Sequence, residues 1–125
     1  MTSKHVARKP VIVIGSDQYT EERLRKIQPH RIDWQFVQKV KDVQEPKTKT
    51  AALLIVRSTL GSAIKTAVTI KKIERIKNIG SIAVAAVGND EKAVANPSVL
   101  QASTGAHVIS LRVSDSLLAK DILAL

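Results

Sequence analysis

Short apolar runs alternate with longer mixed segments along this chain. The runs are PVIVIG (10–15), WQFVQKV (34–40), AALLIV (51–56), SIAVAAVG (81–88) and HVISL (107–111). The first, third and fourth are continuously apolar, the pattern of central parallel strands covered on both faces. The second alternates and reads as an edge strand. Helical segments fill the gaps. TEERLRKIQ (20–28) follows a Ser16-Asp17 cap region, carries acids in its first turn and stops at Pro29. SAIKTAVTIKKIERIKN (62–78) is the longest and ends at Gly80. NPSVLQAST (96–104) starts on an Asn-Pro pair and ends at Gly105. SDSLLAKDILAL (114–125) takes Ser114 as N-cap and buries Leu117, Leu118, Ile122 and Leu125.

One gap breaks the rhythm. Only about ten residues, KDVQEPKTKT with Pro46 inside, separate the second and third runs. A parallel crossover normally needs a dozen or more. This connection is therefore expected to be a loop or one short turn, made cationic by Lys39, Lys41, Lys47 and Lys49. The whole order predicts an α/β fold: one doubly wound, five-stranded parallel sheet with helices on both faces and a second crossover reduced to a short loop. It occupies residues 10–125 as a single domain, behind a flexible basic tail over 1–9. In such sheets the functional crevice lies outside the carboxyl ends of the strands. That rule brings together Gly15, Ser16 and Asp17; Arg57, Ser58 and Thr59; Gly88, Asn89 and Asp90; Arg112, Ser114 and Asp115.

Composition narrows the chemistry. Aromatics are 2% of the 125 residues, so the core must be built from Val, Ile, Leu and Ala. There is no cysteine, which excludes disulfides, thiolate catalysis and Cys-based zinc sites. The apolar runs are far shorter than the roughly 18 residues of a membrane span. No apolar stretch follows MTSKHVARKP as a signal peptide would require, so a cytoplasmic protein is expected. The formal charge of +9 is lopsided: residues 1–77 hold 17 of the 20 Lys and Arg but 7 of the 11 acids. Such asymmetry points to a basic face that meets a polyanion or an acidic partner, beside the plainer reading of a solvated lysine surface.

The final segment, ASTGAHVISLRVSDSLLAKDIL, resembles the end of response-regulator receiver domains, a flavodoxin-like family. Gly105 and Ala106 match the pair that closes the family's fourth helix. Arg112 falls on its strand-end lysine, Val113 on the following proline and Asp115 on the capping acid. The resemblance implies a five-stranded regulatory domain, and the departures from it imply a degenerate one. A receiver holds a divalent cation through an acidic pair after the first strand and phosphorylates an aspartate ending the third. Here Gly15 and Ser16 replace the pair, leaving Asp17, and the third strand ends on Arg57. Ala86 and Val87 stand where a hydroxyl residue is expected. One carboxylate between two guanidiniums makes no Mg²⁺ site, and without the acceptor no phosphotransfer occurs there. The resemblance thus implies a pseudo-receiver whose pocket has changed sign. Arg57 pairs with Asp17 or Asp90, or joins Arg112, Ser58, Thr59 and the amides opening the helix at Ser62 in an anion site, or simply points into water.

Other motifs are weaker. GSAIKT (61–66) lacks the glycines of a phosphate-binding loop. Ser62 and Lys65 form an S-x-x-K spacing with no other element of that chemistry. His5, His30 and His107 are scattered, which supports no metal site or triad. Ile70, Ile73, Ile76 and Ile79 recur every three residues, a row that drifts around a helix. The helix over 62–78 is either packed deeply beside the sheet or buries a second face against another subunit. Basic residues cluster in the tail (Lys4, Arg8, Lys9), the first helix (Arg23, Arg25, Lys26), Arg31, the short loop (Lys39, Lys41, Lys47, Lys49) and the long helix (Lys71, Lys72, Arg75, Lys77). Trp34, Phe36 and Tyr19 are assigned to the core or sheet edge, so any nucleic acid would be held by phosphate contact rather than base stacking.

Three functions remain. The first is a non-catalytic regulatory or adaptor domain acting through protein contacts, including self-association through helix 62–78. The second is a basic accessory protein making sequence-nonspecific contacts to nucleic acid. The third is a sensor of a small anion at the carboxyl edge. None calls for a catalytic residue, a cofactor or a metal.

Overall fold

The structure is a computed structural model and describes residues 8–56, 62–86 and 105–125. Five parallel strands form one sheet: β1 (Lys9–Ile14), β2 (Ile32–Val37), β3 (Thr50–Val56), β4 (Ile79–Ala86) and β5 (His107–Val108), in the order β2-β1-β3-β4-β5. That order occurs in flavodoxin-like sheets, with its switch point between β1 and β3. The helices are α1 (Gln18–Arg25), α2 (Ser62–Glu74) and α3 (Asp115–Leu123). The expected helix over 96–104 lies outside the described residues.

Central β3 is buried along its whole length. Its alternate side chains enter two separate cores. Val11, Val13, Leu53 and Ala83 face Leu24 of α1 and Leu118 and Ile122 of α3. Ile12, Ile14, Leu54 and Val84 face Ile70 and Ile73 of α2. Alanines 51, 52, 83 and 85 in β3 and β4 let the helices sit close, which suits a core with few aromatics. The alternating run is indeed at the sheet edge, shifted to start at Ile32. Trp34 and Phe36 stack at 6.1 Å against the α1 side, where Trp34 donates to the Ile27 carbonyl at 2.9 Å.

Helix limits differ from the sequence reading for local reasons. Asp17 accepts from the Thr20 amide at 2.7 Å, so α1 starts at Gln18. It ends at Arg25, before Pro29, because the backbone turns left-handed at Gln28 (φ 45°). α2 ends at Glu74 rather than near Gly80. Asn78 (φ 72°) makes the left-handed turn, and Gly80 is already in β4 beneath the Lys49 side chain. The isoleucine row is therefore cut into three. Ile70 and Ile73 are fully buried in α2, Ile76 half-buried in the turn and Ile79 half-buried in β4. The inward stripe is Thr66, Ile70 and Ile73, a single helical face. Two burial expectations fail. Leu117 is exposed because α3 turns Leu118, Ala119 and Ile122 inward, and Tyr19 stands 77% exposed on α1 instead of in the core.

Residues 38–49 join β2 to β3 with a single 3₁₀ turn at Val40–Asp42. Val40 and Val43 pack against the α2-side core, and Asn78 Nδ2 donates to the Pro46 carbonyl at 2.7 Å. The connection therefore lies on the α2 side of the sheet.

Candidate functional site

At the carboxyl edge, Gly15 leaves β1 with φ +82° and its amide donates to the Val37 carbonyl at 2.9 Å. A Cβ there would sit 3.2 Å from the Ile55 carbonyl oxygen, so only glycine fits without strain. Ser16 follows, 2% exposed, and its hydroxyl has no hydrogen-bond partner among the described residues. An unpaired buried hydroxyl is a destabilising feature. Ser16→Ala is expected to raise stability by about 1 kcal/mol in urea unfolding. A loss instead would mean that the hydroxyl is used in the free protein.

The edge divides the residues that the sequence brought together. Asp17 serves as the cap of α1. Arg112 is exposed, and its amide donates to Ser110 Oγ at 3.1 Å. Ser114 caps α3 through the Leu117 amide, and Asp115 lies in the first turn. Arg57, Ser58, Thr59 and Asp90 are outside the described residues, so neither the ion pair nor the anion site at Arg57 has a geometry here. Lys4 and His5 are outside as well. His30 and His107 are exposed and far apart in the fold. Among the described residues no three His, Asp or Glu could hold a metal ion, and no helix is long and apolar enough to cross a membrane.

The basic clusters separate into structural and uncommitted groups. Arg23 donates to the Leu111 carbonyl, to the Val113 carbonyl at 2.8 Å and to Asp115 at 3.0 Å, tying the β5–α3 turn to α1. Arg25 meets Glu21 at 3.1 Å and lies 4.5 Å from the centre of the Phe36 ring. Arg8 faces Asp33 at 3.8 Å, and Lys9 Nζ donates to the Leu125 carbonyl at 2.8 Å. Lys26 is exposed on α1. Apart from Lys26, these cations hold the fold or pair with acids. Arg23→Met is expected to lower stability by about 2–3 kcal/mol, with Arg23→Lys recovering little because its point charge cannot bridge two carbonyls and a carboxylate. Full recovery by lysine in thermal unfolding would show that charge alone matters.

The other side is different. Residues 38–49 and 62–78, which pack together, hold nine Lys and Arg against three acids, a net of +6. Residues 18–28 and 114–125, on the opposite face, hold four of each and are neutral. Lys39, Lys41, Lys47, Lys49, Lys65, Lys71, Lys72, Arg75 and Lys77 are all exposed. None takes part in the three ion pairs found among the described residues. Sequence reading counted these residues but could not sort them. Strand order was the missing information, because it places the β2–β3 connection and α2 on one side.

Between these two basic elements lies a cleft of about 790 Å³. Ile14, Leu54 and Ile55 form its floor, and Lys39, Lys41 and Lys72 stand on its walls with Gln38 and Thr69. Gln38 also fixes the edge, donating from Nε2 to the Ser16 carbonyl at 3.0 Å. Gln38 and Thr69 carried no signal in the sequence, whereas the lysines of the short second connection did. No protein-family model matches the chain, and neither does any curated protein.

Proposed function

We propose that this chain is a non-catalytic, receiver-like accessory domain that contacts the phosphate backbone of nucleic acid through its α2 face. The net of +6 over residues 38–49 and 62–78, against zero over residues 18–28 and 114–125 on the opposite side of the sheet, carries the reading. A charge excess that served only solubility has no reason to segregate by face. Phosphate contact by lysine is sequence-independent. The aromatics of β2 pack on the other side of the sheet, so the α2 face offers phosphate contacts without stacking platforms. Double-stranded nucleic acid fits this better than a single strand. The arrangement is proposed to be doubly wound, its second crossover shortened so that the cationic connection stands beside α2. A cytoplasmic location goes with this partner.

The regulatory or adaptor reading through protein contacts is the second reading. Of the isoleucines that suggested a second interface, Ile70 and Ile73 lie in the core and Ile76 and Ile79 are half-buried beyond the end of α2, and Val68 is exposed on the helix. A degenerate receiver frame remains compatible with the α2-face reading, since Asp17 caps a helix and the cleft lining has no carboxylate among the described residues. Gel mobility of a mixed-sequence duplex and of a single strand, at low and physiological salt, tests the reading. The duplex is expected to shift at least as strongly as the single strand. No shift of either at micromolar protein in low salt would end it.

A further inference from the structure

We propose that the cleft between residues 38–41 and α2 binds a phosphomonoester of nucleotide size. The cleft has a topological origin. A helical crossover after β2 would lie on the sheet face beside α2, but the chain supplies one 3₁₀ turn instead. Space is left over the ends of β1 and β3, where the strand order reverses and sheets of this kind take ligands. Its volume of about 790 Å³ lies in the range of small-molecule sites.

The lining selects the occupant. Lys39, Lys41 and Lys72 stand on the walls with no carboxylate among the described lining residues, which favours a dianion over a neutral or cationic guest. Gln38 supplies a neutral hydrogen-bonding group, while the Thr69 hydroxyl donates to the Lys65 carbonyl at 2.9 Å and the Gly15 amide to the Val37 carbonyl. The floor argues against a partner helix. Ile14, Leu54 and Ile55 are only 2%, 7% and 4% exposed, so docking a helix would bury little further apolar surface. A small, flat, charged molecule loses nothing by this. It rests on the sealed floor and between the lysine stems while its phosphate meets the ammonium groups. This site does not depend on binding along the whole α2 face.

The test is calorimetric and spectroscopic. Adenosine, guanosine, cytidine and uridine monophosphates, ribose 5-phosphate and inorganic phosphate are titrated into the intact protein. The same titrations use Lys39→Ala/Lys41→Ala, with Lys47→Ala/Lys49→Ala as the charge-matched control. Saturable binding of at least one phosphomonoester is expected, with amide shifts at Gly15 and Gln38. The cleft variant is expected to weaken it by about tenfold or more, and the control by less than about twofold. A 5′-phosphorylated oligonucleotide that outcompetes its 5′-hydroxyl form, dependent on Lys41, would assign the phosphate to a strand end. Equal binding of both forms, with retained monophosphate binding, would assign it to a free nucleotide. No saturation by about 10 mM of any probe, or equal weakening in the control, would overturn the proposal. Duplex binding by the same variants separates its failure from failure of the α2-face reading.

Discussion

Reversing Lys71, Lys72 and Arg75 to glutamate is expected to abolish duplex binding at physiological salt. The three residues are exposed near the end of α2, on the face that holds a net of +6. Each reversal removes one cation and adds one anion, so the triple variant makes that face neutral. The loss of three phosphate contacts should reduce the slope of log K against log salt by about 2.7. Affinity at low salt should fall by about a hundredfold or more. Folding should survive, because none of the three makes an ion pair among the described residues. Lys26→Glu/Lys120→Glu is the matched control on the opposite face. It lowers net charge by four against the triple variant's six, and it is expected to weaken binding by far less than that ratio. Equal losses in both variants would reduce the effect to overall charge.

The second large effect concerns stability. Ile73→Ala is expected to lower the unfolding free energy by about 3 kcal/mol, and Ile70→Ala by a similar amount. Both side chains are fully buried in the core between α2 and the sheet. For a domain stabilised by about 5–15 kcal/mol, the double variant would lose about 6 kcal/mol, from two-fifths of the stability to all of it. Chemical denaturation at several protein concentrations is the measurement. The loss should not vary with concentration, because the isoleucines are buried within one chain. A midpoint that rises with concentration, and a smaller loss at high concentration, would return these residues to a subunit interface.

Much of the architecture was readable because burial on both faces leaves a plain signature. Continuous apolar runs marked β1, β3 and β4, and alternation marked β2 as an edge. Helix ends were less readable. Asn78 rather than Gly80 turns the chain out of α2, since asparagine also tolerates a left-handed backbone, and a glycine beneath a lysine stem looks the same in sequence as a glycine cap. The drifting isoleucine row misled for a related reason. A three-residue spacing has meaning only while the helix continues, and it stops at Glu74. Arg23 and Lys72 are both basic residues on helices. Carbonyls contributed by a turn about 90 residues away make the first a fastener, and nothing local distinguishes it. The cleft was visible only as a connection too short for a helix. Its shape needed the β2-β1-β3 order.

The most direct measurement is the affinity of the intact protein for a mixed-sequence duplex, titrated from low to physiological salt. If the α2 face meets the phosphate backbone, log K falls linearly with log salt, with a slope of about −5 for about six contacts. No binding at micromolar protein in low salt, or binding that salt leaves unchanged, would contradict it.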